Sequence, residues 1–506
     1  MTNLASSVQL ITYADRLAGD IPGLTRLLRS DAFAGAFSGV HILPFFTPFD
    51  GADAGFDPSD HTAVDPRLGS WEDVRELGTT HDTVVDLIVN HVSVDNTAFA
   101  EVRELGDASP YAPMFLTMSS VFPDGATEAD LTRIYRPRPG VPFTPYVLGG
   151  IQRLVWTTFT PKQIDIDVAS EPGAAYLESI LDAVASAGVK LVRLDAVGYA
   201  IKTPGTTSFM TPETFAFIES FTNQARARGV GVLVEVHSYY KQQVEIGHAV
   251  DLVYDFALPP LVLHALYTGY GEALQAWMEI RPRNAVTVLD THDGIGVIDV
   301  GRDPTRRAHE PERPGLLTPT QIDELVQGIH ERTGGASELS TGGAASNLDL
   351  YQVNSTYYGA LGEDDSRYLA ARAIQFFTPG IPQVYYVGAL AGVNDVELLQ
   401  RTGVGRDINR HYYTPDEIAA DLERPVVQGL LALCRFRNEF PAFDGDVMTE
   451  LDGPRLTLTR RGVERPDAVA SLTVDLAAGT STISWNGPDG AGEVSDLLDP
   501  RYPSGA

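Results

Sequence analysis

The chain has 506 residues, 43% of them hydrophobic, which is more than one compact core needs and enough for a large domain with additions. It carries 67 acidic against 37 basic side chains, a formal net charge of −30. That balance excludes nucleic acid and anionic membrane surfaces as partners, and an anionic substrate has to find a local basic pocket.

Short apolar, β-branched runs recur along the chain. They are Val8 to Ala14, Gly39 to Phe45, Val84 to His91, Val189 to Val197, Gly231 to His237, Leu252 to Leu258, Ala285 to Asp293 and Pro382 to Leu390. Segments with helical spacing separate several of them. In Ala174 to Ala187, for example, Leu177, Ile180, Leu181 and Val184 fall on one face and Gly188 ends the run. Strand–helix alternation predicts a parallel sheet, and eight such units predict an α/β (β/α)₈ TIM barrel.

Two stretches are too long for simple connections and read as insertions on barrel loops. The expected division is 1–91 for barrel strands one to three, 92–169 for a first inserted subdomain, and 170–294 for strands four to seven. A second insertion at 295–362 contains Gly334-Gly335 and Gly342-Gly343-Ala344-Ala345. Residues 363–442 supply strand eight and the last helices. From 443 to 506 the alternation stops, and Arg455 to Arg461, Ala468 to Leu476 and Thr480 to Trp485 read as antiparallel strands of a small C-terminal β-domain. Gly403-x-Gly405 lacks the strand-then-helix context of a nucleotide loop and reads as a turn.

Three carboxylates stand at the ends of predicted strands: Asp195, Glu235 and Asp293. An acidic group at the end of a buried strand is costly unless it is paired or used. In a barrel these strand ends meet on one face, so the three are expected in one pocket. Carboxylate groups gathered in this way perform glycosidic-bond chemistry. Residues two apart on a strand share a face, which adds Arg193 beside Asp195 and His237 beside Glu235. The third strand adds His91.

The four segments Asp86–His91, Arg193–Val197, Glu235–His237 and Thr291–Asp293, in this order and on these strands, resemble the motifs of the α-amylase superfamily (glycoside hydrolase family 13) of retaining glycosidases and transglycosidases. Further segments are similar to its sucrose phosphorylase branch. These include Val8–Arg16, His41–Phe46, Gly51–Phe56, Arg136–Gly140, Asp349–Asn354 and Gly405–Arg410.

The resemblance implies a hexosyltransferase that moves the glucosyl unit of sucrose to phosphate, giving α-glucose 1-phosphate and fructose. By the same resemblance Asp195 is the nucleophile, Arg193 keeps it ionised, Glu235 is the acid and base, and Asp293 stabilises the transition state. His91 and His292 bond the sugar, Asp53 and Arg406 hold its far end, and Phe56 and Phe159 face its ring. Tyr199 and Gln352 are implied as fructose contacts, and Arg138, Tyr351 and His237 as the phosphate site. Phosphorylases acting on sucrose 6′-phosphate, glucosylglycerol or glucosylglycerate are the alternative activity.

No cofactor is implied. No metal site is expected, since the sequence has no His-Glu-x-x-His and no clustered cysteines. The position of Asn90 is a calcium ligand in many amylase relatives, whereas here a structural role is open. The family suggests a homodimer. The single cysteine, Cys434, the lack of a signal-peptide pattern over Met1 to Ser7 and the absence of a run of about 18 apolar residues lead to a cytoplasmic expectation.

Overall fold

The computed structural model describes residues 6–303, 311–340, 352–488, 490–499 and 501–502. Eight short strands form a closed barrel: β1 (Gln9–Thr12), β2 (Gly39–Ile42), β3 (Asp82–Ile88), β4 (Leu191–Asp195), β5 (Gly231–Val234), β6 (Leu252–Asp255), β7 (Ala285–Thr287) and β8 (Ile381–Tyr385). Each is hydrogen-bonded in parallel to the next, and β1 closes on β8 with Gln9 opposite Gln383. All eight segments expected from the apolar runs are therefore barrel strands. Helices cover the outside and side chains fill the inside, so the strands are buried on both faces and read as continuous apolar runs.

The helix Glu171–Ser186 shows how the outer layer is built. Ser170 caps it by accepting from the Gly173 amide, and Pro172 occupies its first turn. Leu177, Ile180, Leu181 and Val184 are its buried stripe. Gly188, at φ +76°, turns the chain back toward β4. Inside the barrel, Val84, Leu191, Leu233 and Val286 belong to a separate apolar cluster. The period of two then puts Asp86 on the Val84 face of β3, and Arg193 and Asp195 on the Leu191 face of β4.

Every strand ends short of its apolar run, and two of these ends bear on the site. β3 ends at Ile88, and His91 instead opens a short antiparallel pairing of His91–Ser93 with Gln163–Asp165. β7 ends at Thr287, and the chain from Val288 to Asp293 leaves the sheet. Arg372 there binds Asp290 through Nη2, 2.8 Å from each carboxylate oxygen, and ties the segment to the helix Asp365–Phe377.

Between β3 and β4 lies the hairpin of Phe143–Leu148 with Ile151–Trp156. Between β7 and β8, Ile295–Gly296 pairs with Gln352–Val353, and the helix Pro319–Arg332 starts from a Thr318–Gln321 capping box. At the C-terminal end five strands form one antiparallel meander. They are β9 (Val447–Asp452), β10 (Arg455–Arg461), β11 (Val469–Asp475), β12 (Thr480–Gly487) and β13 (Gly490–Val494). Three of these were expected. β9 and β13 are the edge strands of this sheet. Buried Arg460 donates to the carbonyls of Phe377 and Phe443, at 3.2 and 2.6 Å, and fastens this sheet to the barrel.

Candidate active site

Asp195 is the last residue of β4, and Arg193 lies beneath it on the same face. Arg193 Nη1 is 3.1 Å from Asp195 Oδ1 and also binds Asp86 Oδ1, while Nη2 is 3.6 Å from Glu235 Oε1. One guanidinium thus faces three carboxylates from three adjacent strands. Asp86 is fully buried and joined to His41 at 3.1 Å. Burial acts to raise the Asp86 carboxyl, but Arg193 and His41 outweigh it and hold it down at about 2.

Glu235 follows β5 directly. Its Oε2 accepts the Ala196 amide at 3.2 Å. Ala196 has a left-handed backbone, φ +53°, a conformation that costs a residue with a Cβ but turns its N–H toward Glu235. Burial pushes the Asp195 carboxyl up, Arg193 opposes this and Glu235 adds to it.

Asp293 comes from the segment that leaves the barrel after β7. Burial acts to raise it, but Arg406, His292, His237 and Arg410 together hold it far below the usual carboxylate range. Arg406 Nη1 lies 2.9 Å from both Asp293 Oδ1 and Asp53 Oδ2. Asp53 also sits low, at about 2, because Arg406 and Arg410 overcome its burial. Asn409 Nδ2 donates to the Asp293 carbonyl at 2.9 Å, and Arg410 Nε to the His292 carbonyl at 2.9 Å. The residues 405–410 therefore grip this segment by its backbone.

Aromatic rings and imidazoles complete the pocket. His292 is stacked on Phe56 with centroids 4.7 Å apart, and burial lowers it to about 3. His91 Nε2 is 2.9 Å from the Phe56 carbonyl, and burial lowers His91 as well. Phe159 stands between His91 and Tyr199, 5.3 Å from each. His237 Nε2 is 3.7 Å from Glu235 Oε1, and Nδ1 is 2.9 Å from Asp299. Glu235, His237 and Asp293 each place a ligand-type atom within 4.8 Å of the others, which measures how tightly the site converges.

One pocket is lined by Asp53, Phe56, His91, Arg138, Phe159, Asp195, Tyr199, Glu235, His237, His292, Asp293 and Arg406. All of these were named from the sequence. Gln352 lies elsewhere: it is buried in an adjoining pocket that shares Asp53, Arg138 and Arg406 with the first and is walled by Leu339 and Asn354. Tyr351 lies outside the described residues. The sequence reading assigned no role to Asp86, though it opens the Asp86–His91 motif, or to Pro137 within Arg136–Gly140, and it missed Asp299, Gln163 and Phe209.

It also missed Lys202. Its ammonium binds Asn90 Oδ1 at 2.7 Å, Asp165 Oδ2 at 2.8 Å and the Tyr199 carbonyl. Asn90 thus serves a cation that belongs to the chain itself. Chemically, the centre offers a carboxylate held by a guanidinium, a second carboxyl able to carry a proton, and a third that stays ionised. That set suits substitution at a sugar carbon with retention.

Among the described residues no helix is long and apolar enough to cross a membrane. The sequence profile of the family described as "Alpha amylase, catalytic domain" matches residues 14–258. A sucrose phosphorylase of Bifidobacterium adolescentis is 57% identical over 503 residues, covering 98% of this chain and 99% of the relative. One of Agrobacterium vitis is 57% identical, covering 96% and 98%. Among solved structures, the sucrose 6F-phosphate phosphorylase from Thermoanaerobacter thermosaccharolyticum superposes with a TM-score of 0.87 at 38% identity, covering 97% of this chain and 98% of that one. With that barrel, that pocket and these relatives, the chain belongs to the sucrose phosphorylase family within the α-amylase superfamily.

Proposed function

We propose that this pocket transfers the glucosyl unit of sucrose to phosphate, reversibly, with retention of the α configuration. The observation that carries the reading is Arg193 set between Asp195 and Glu235, at 3.1 and 3.6 Å, in a chain 57% identical to two sucrose phosphorylases. Asp195 attacks C1 of the glucosyl unit. The C1–O bond to fructose breaks, and Glu235 gives its proton to the departing oxygen. A phosphate oxygen then attacks C1, the ester bond to Asp195 breaks, and Glu235 takes the proton of the incoming phosphate. Retaining enzymes place such a pair roughly 5 Å apart.

Asp293, kept ionised by Arg406, faces the positive charge that develops on the sugar. Asp53 and Arg406 close the far end of the pocket, so that one glucose fills it. His91, His292, Phe56 and Phe159 surround the ring. Arg138 and His237 supply the local positive charge that phosphate requires in so acidic a protein. Gln352, in the adjoining pocket, and Tyr199 serve the fructose side. The homodimer and the cytoplasmic setting implied by the family accompany this reading.

The test is incubation with sucrose, with and without phosphate, measuring glucose 1-phosphate and free glucose. Glucose 1-phosphate formed only with phosphate is the expected result. Free glucose alone sinks the phosphorylase reading, and turnover of glucosylglycerate in place of sucrose moves it to a sister activity.

A further inference from the structure

The glucosyl-enzyme meets water at far higher concentration than phosphate, so the acceptor step needs a device that favours the anion. His237 is held in a way that supplies one. Its Nδ1 lies 2.9 Å from Asp299 Oδ2. The other oxygen of Asp299 accepts from the Ser238 amide at 3.1 Å and from Gln243 Nε2 at 2.9 Å. Asp299 is fully buried, and among the described residues His237 is its one ion-pair partner. A buried carboxylate needs a compensating charge, and the imidazole is the group placed to supply it.

The ring has no freedom to turn away. Phe256 stacks on it with centroids 3.8 Å apart. The backbone of Gly296 closes over the pair, and a Cβ there would stand 2.3 Å from Asp299 Oδ2 and 3.1 Å from His237 Nδ1. The opposite nitrogen, Nε2, faces the pocket 3.7 Å from Glu235. Burial acts to lower the basicity of His237, but Asp299, then Glu235 and Asp293, outweigh it and raise it above the usual 6.5. Arg193 at Glu235 and Arg406 at Asp293 are the cations that bear on the same groups.

We propose that Asp299 is a positioning residue of the acceptor step: it fixes His237 with Nδ1–H donated to itself and Nε2–H aimed at the pocket, so that a cationic donor meets the incoming phosphate beside Glu235. The inference rests on the phosphate-transfer reading.

Asp299→Asn tests it. The asparagine oxygen still serves Ser238 and Gln243, but its NH₂ meets His237 Nδ1, so the ring becomes the neutral Nε2–H form. The shape of the site is kept and its charge is lost. We expect KM for phosphate to rise at least tenfold at pH 7, with the ratio of glucose 1-phosphate to free glucose falling in step, while KM for sucrose moves by less than threefold. In the unaltered enzyme phosphate affinity weakens as pH rises through the His237 titration, and in the variant that limb moves to lower pH. Taking the difference between the two profiles removes the titration of phosphate itself.

An unchanged KM for phosphate with superimposed profiles, or equal losses for sucrose and phosphate, would overturn the proposal. Should the variant fail to fold, ¹⁵N-histidine spectra of the unaltered protein decide. His237, assigned by its loss in His237→Gln, is expected with both nitrogens protonated near neutral pH, and a neutral ring with bare Nδ1 refutes the proposal. No glucose 1-phosphate from the unaltered protein would instead sink the reading on which it rests.

Discussion

Arg406 reaches Asp293 from the far side of the pocket, with Nη1 2.9 Å from Oδ1. Asp293 is buried, and burial alone would favour its neutral form; Arg406 heads the groups that reverse this. A carboxylate facing a developing positive charge is useful only when ionised. Replacing Arg406 by Met removes both the clamp on Asp53 and the support for the Asp293 charge. We predict a fall in kcat/KM for sucrose of about 10²–10³-fold. Because the folded value of Asp293 is depressed, activity is lost as pH falls through it, and the variant's acid limb moves to higher pH. Asp293 of the parent titrates below the range pH 4–8, so profiles of kcat/KM over that range check whether the variant gains an acid-side loss that the parent lacks, and identical profiles would refute it.

The pairing of Asp195 with Arg193 at 3.1 Å predicts a clean loss of chemistry in Asp195→Asn. The amide fits the same space but cannot form the covalent intermediate, so turnover falls by about 10⁴-fold or more, with the denaturation midpoint close to that of the parent. Near-normal activity would remove Asp195 from the nucleophile role.

Glu235→Gln separates the two halves of the reaction. Without a proton donor, departure of fructose becomes slow by about 10²–10⁴-fold. Glucosyl fluoride, whose leaving group needs no protonation, is expected to restore much of the first step. Stopped-flow fluoride release measures it, and equal losses on sucrose and on the fluoride would contradict the acid assignment.

The barrel was readable because its strands are buried on both faces and rich in apolar, β-branched side chains; Val232-Leu233-Val234 in β5 is one example. Ends were less readable. Val286-Thr287-Val288-Leu289 looks like one strand, yet the ladder stops at Thr287 and the chain beyond it is tied to the outer layer by the Arg372–Asp290 pair, made across 82 residues. The three carboxylates were readable from position and motif. Their supports were not: Asp299 is 62 residues from His237, and Lys202 is 112 from Asn90. Ion pairs formed by tertiary folding leave no periodic trace. Gln352 was assigned through its motif, and only packing shows that it borders the adjoining pocket.

Asp86 predicts an acid-dependent part of the stability. Its carboxyl moves from 3.8 to about 2 on folding, as Arg193 and His41 overcome the effect of burial. A depressed folded value means that the stabilisation is complete above about pH 4 and is lost as pH falls toward 2. Its size is about 2 kcal/mol. Asp86→Asn, measured beside the parent by urea unfolding, is expected to be less stable at pH 7, with the gap narrowing as pH falls from 4 toward 2. Parallel curves would mean that Asp86 contributes no such charge.

Lys202 provides the last prediction, because it joins stability to the pocket. Its side chain and that of Asp165 are both almost fully buried, 2.8 Å apart. Asp165 also accepts from the Thr158 amide at 2.9 Å and the Thr158 hydroxyl at 2.5 Å. Lys202→Met preserves most of the volume but leaves Asp165 as a buried charge without its cation. Breaking one side of such a pair costs about 3–5 kcal/mol. Adding Asp165→Asn removes the stranded charge, so the double variant is expected to recover part of that loss, and the two effects are far from additive. The same ammonium fixes Asn90 and the Tyr199 carbonyl, which adjoin the pocket residues His91 and Phe159. KM for sucrose is therefore expected to stay raised in the double variant even where stability returns. Urea midpoints and sucrose kinetics on both variants separate the two roles, and a double variant with additive instability and unaltered KM would contradict them.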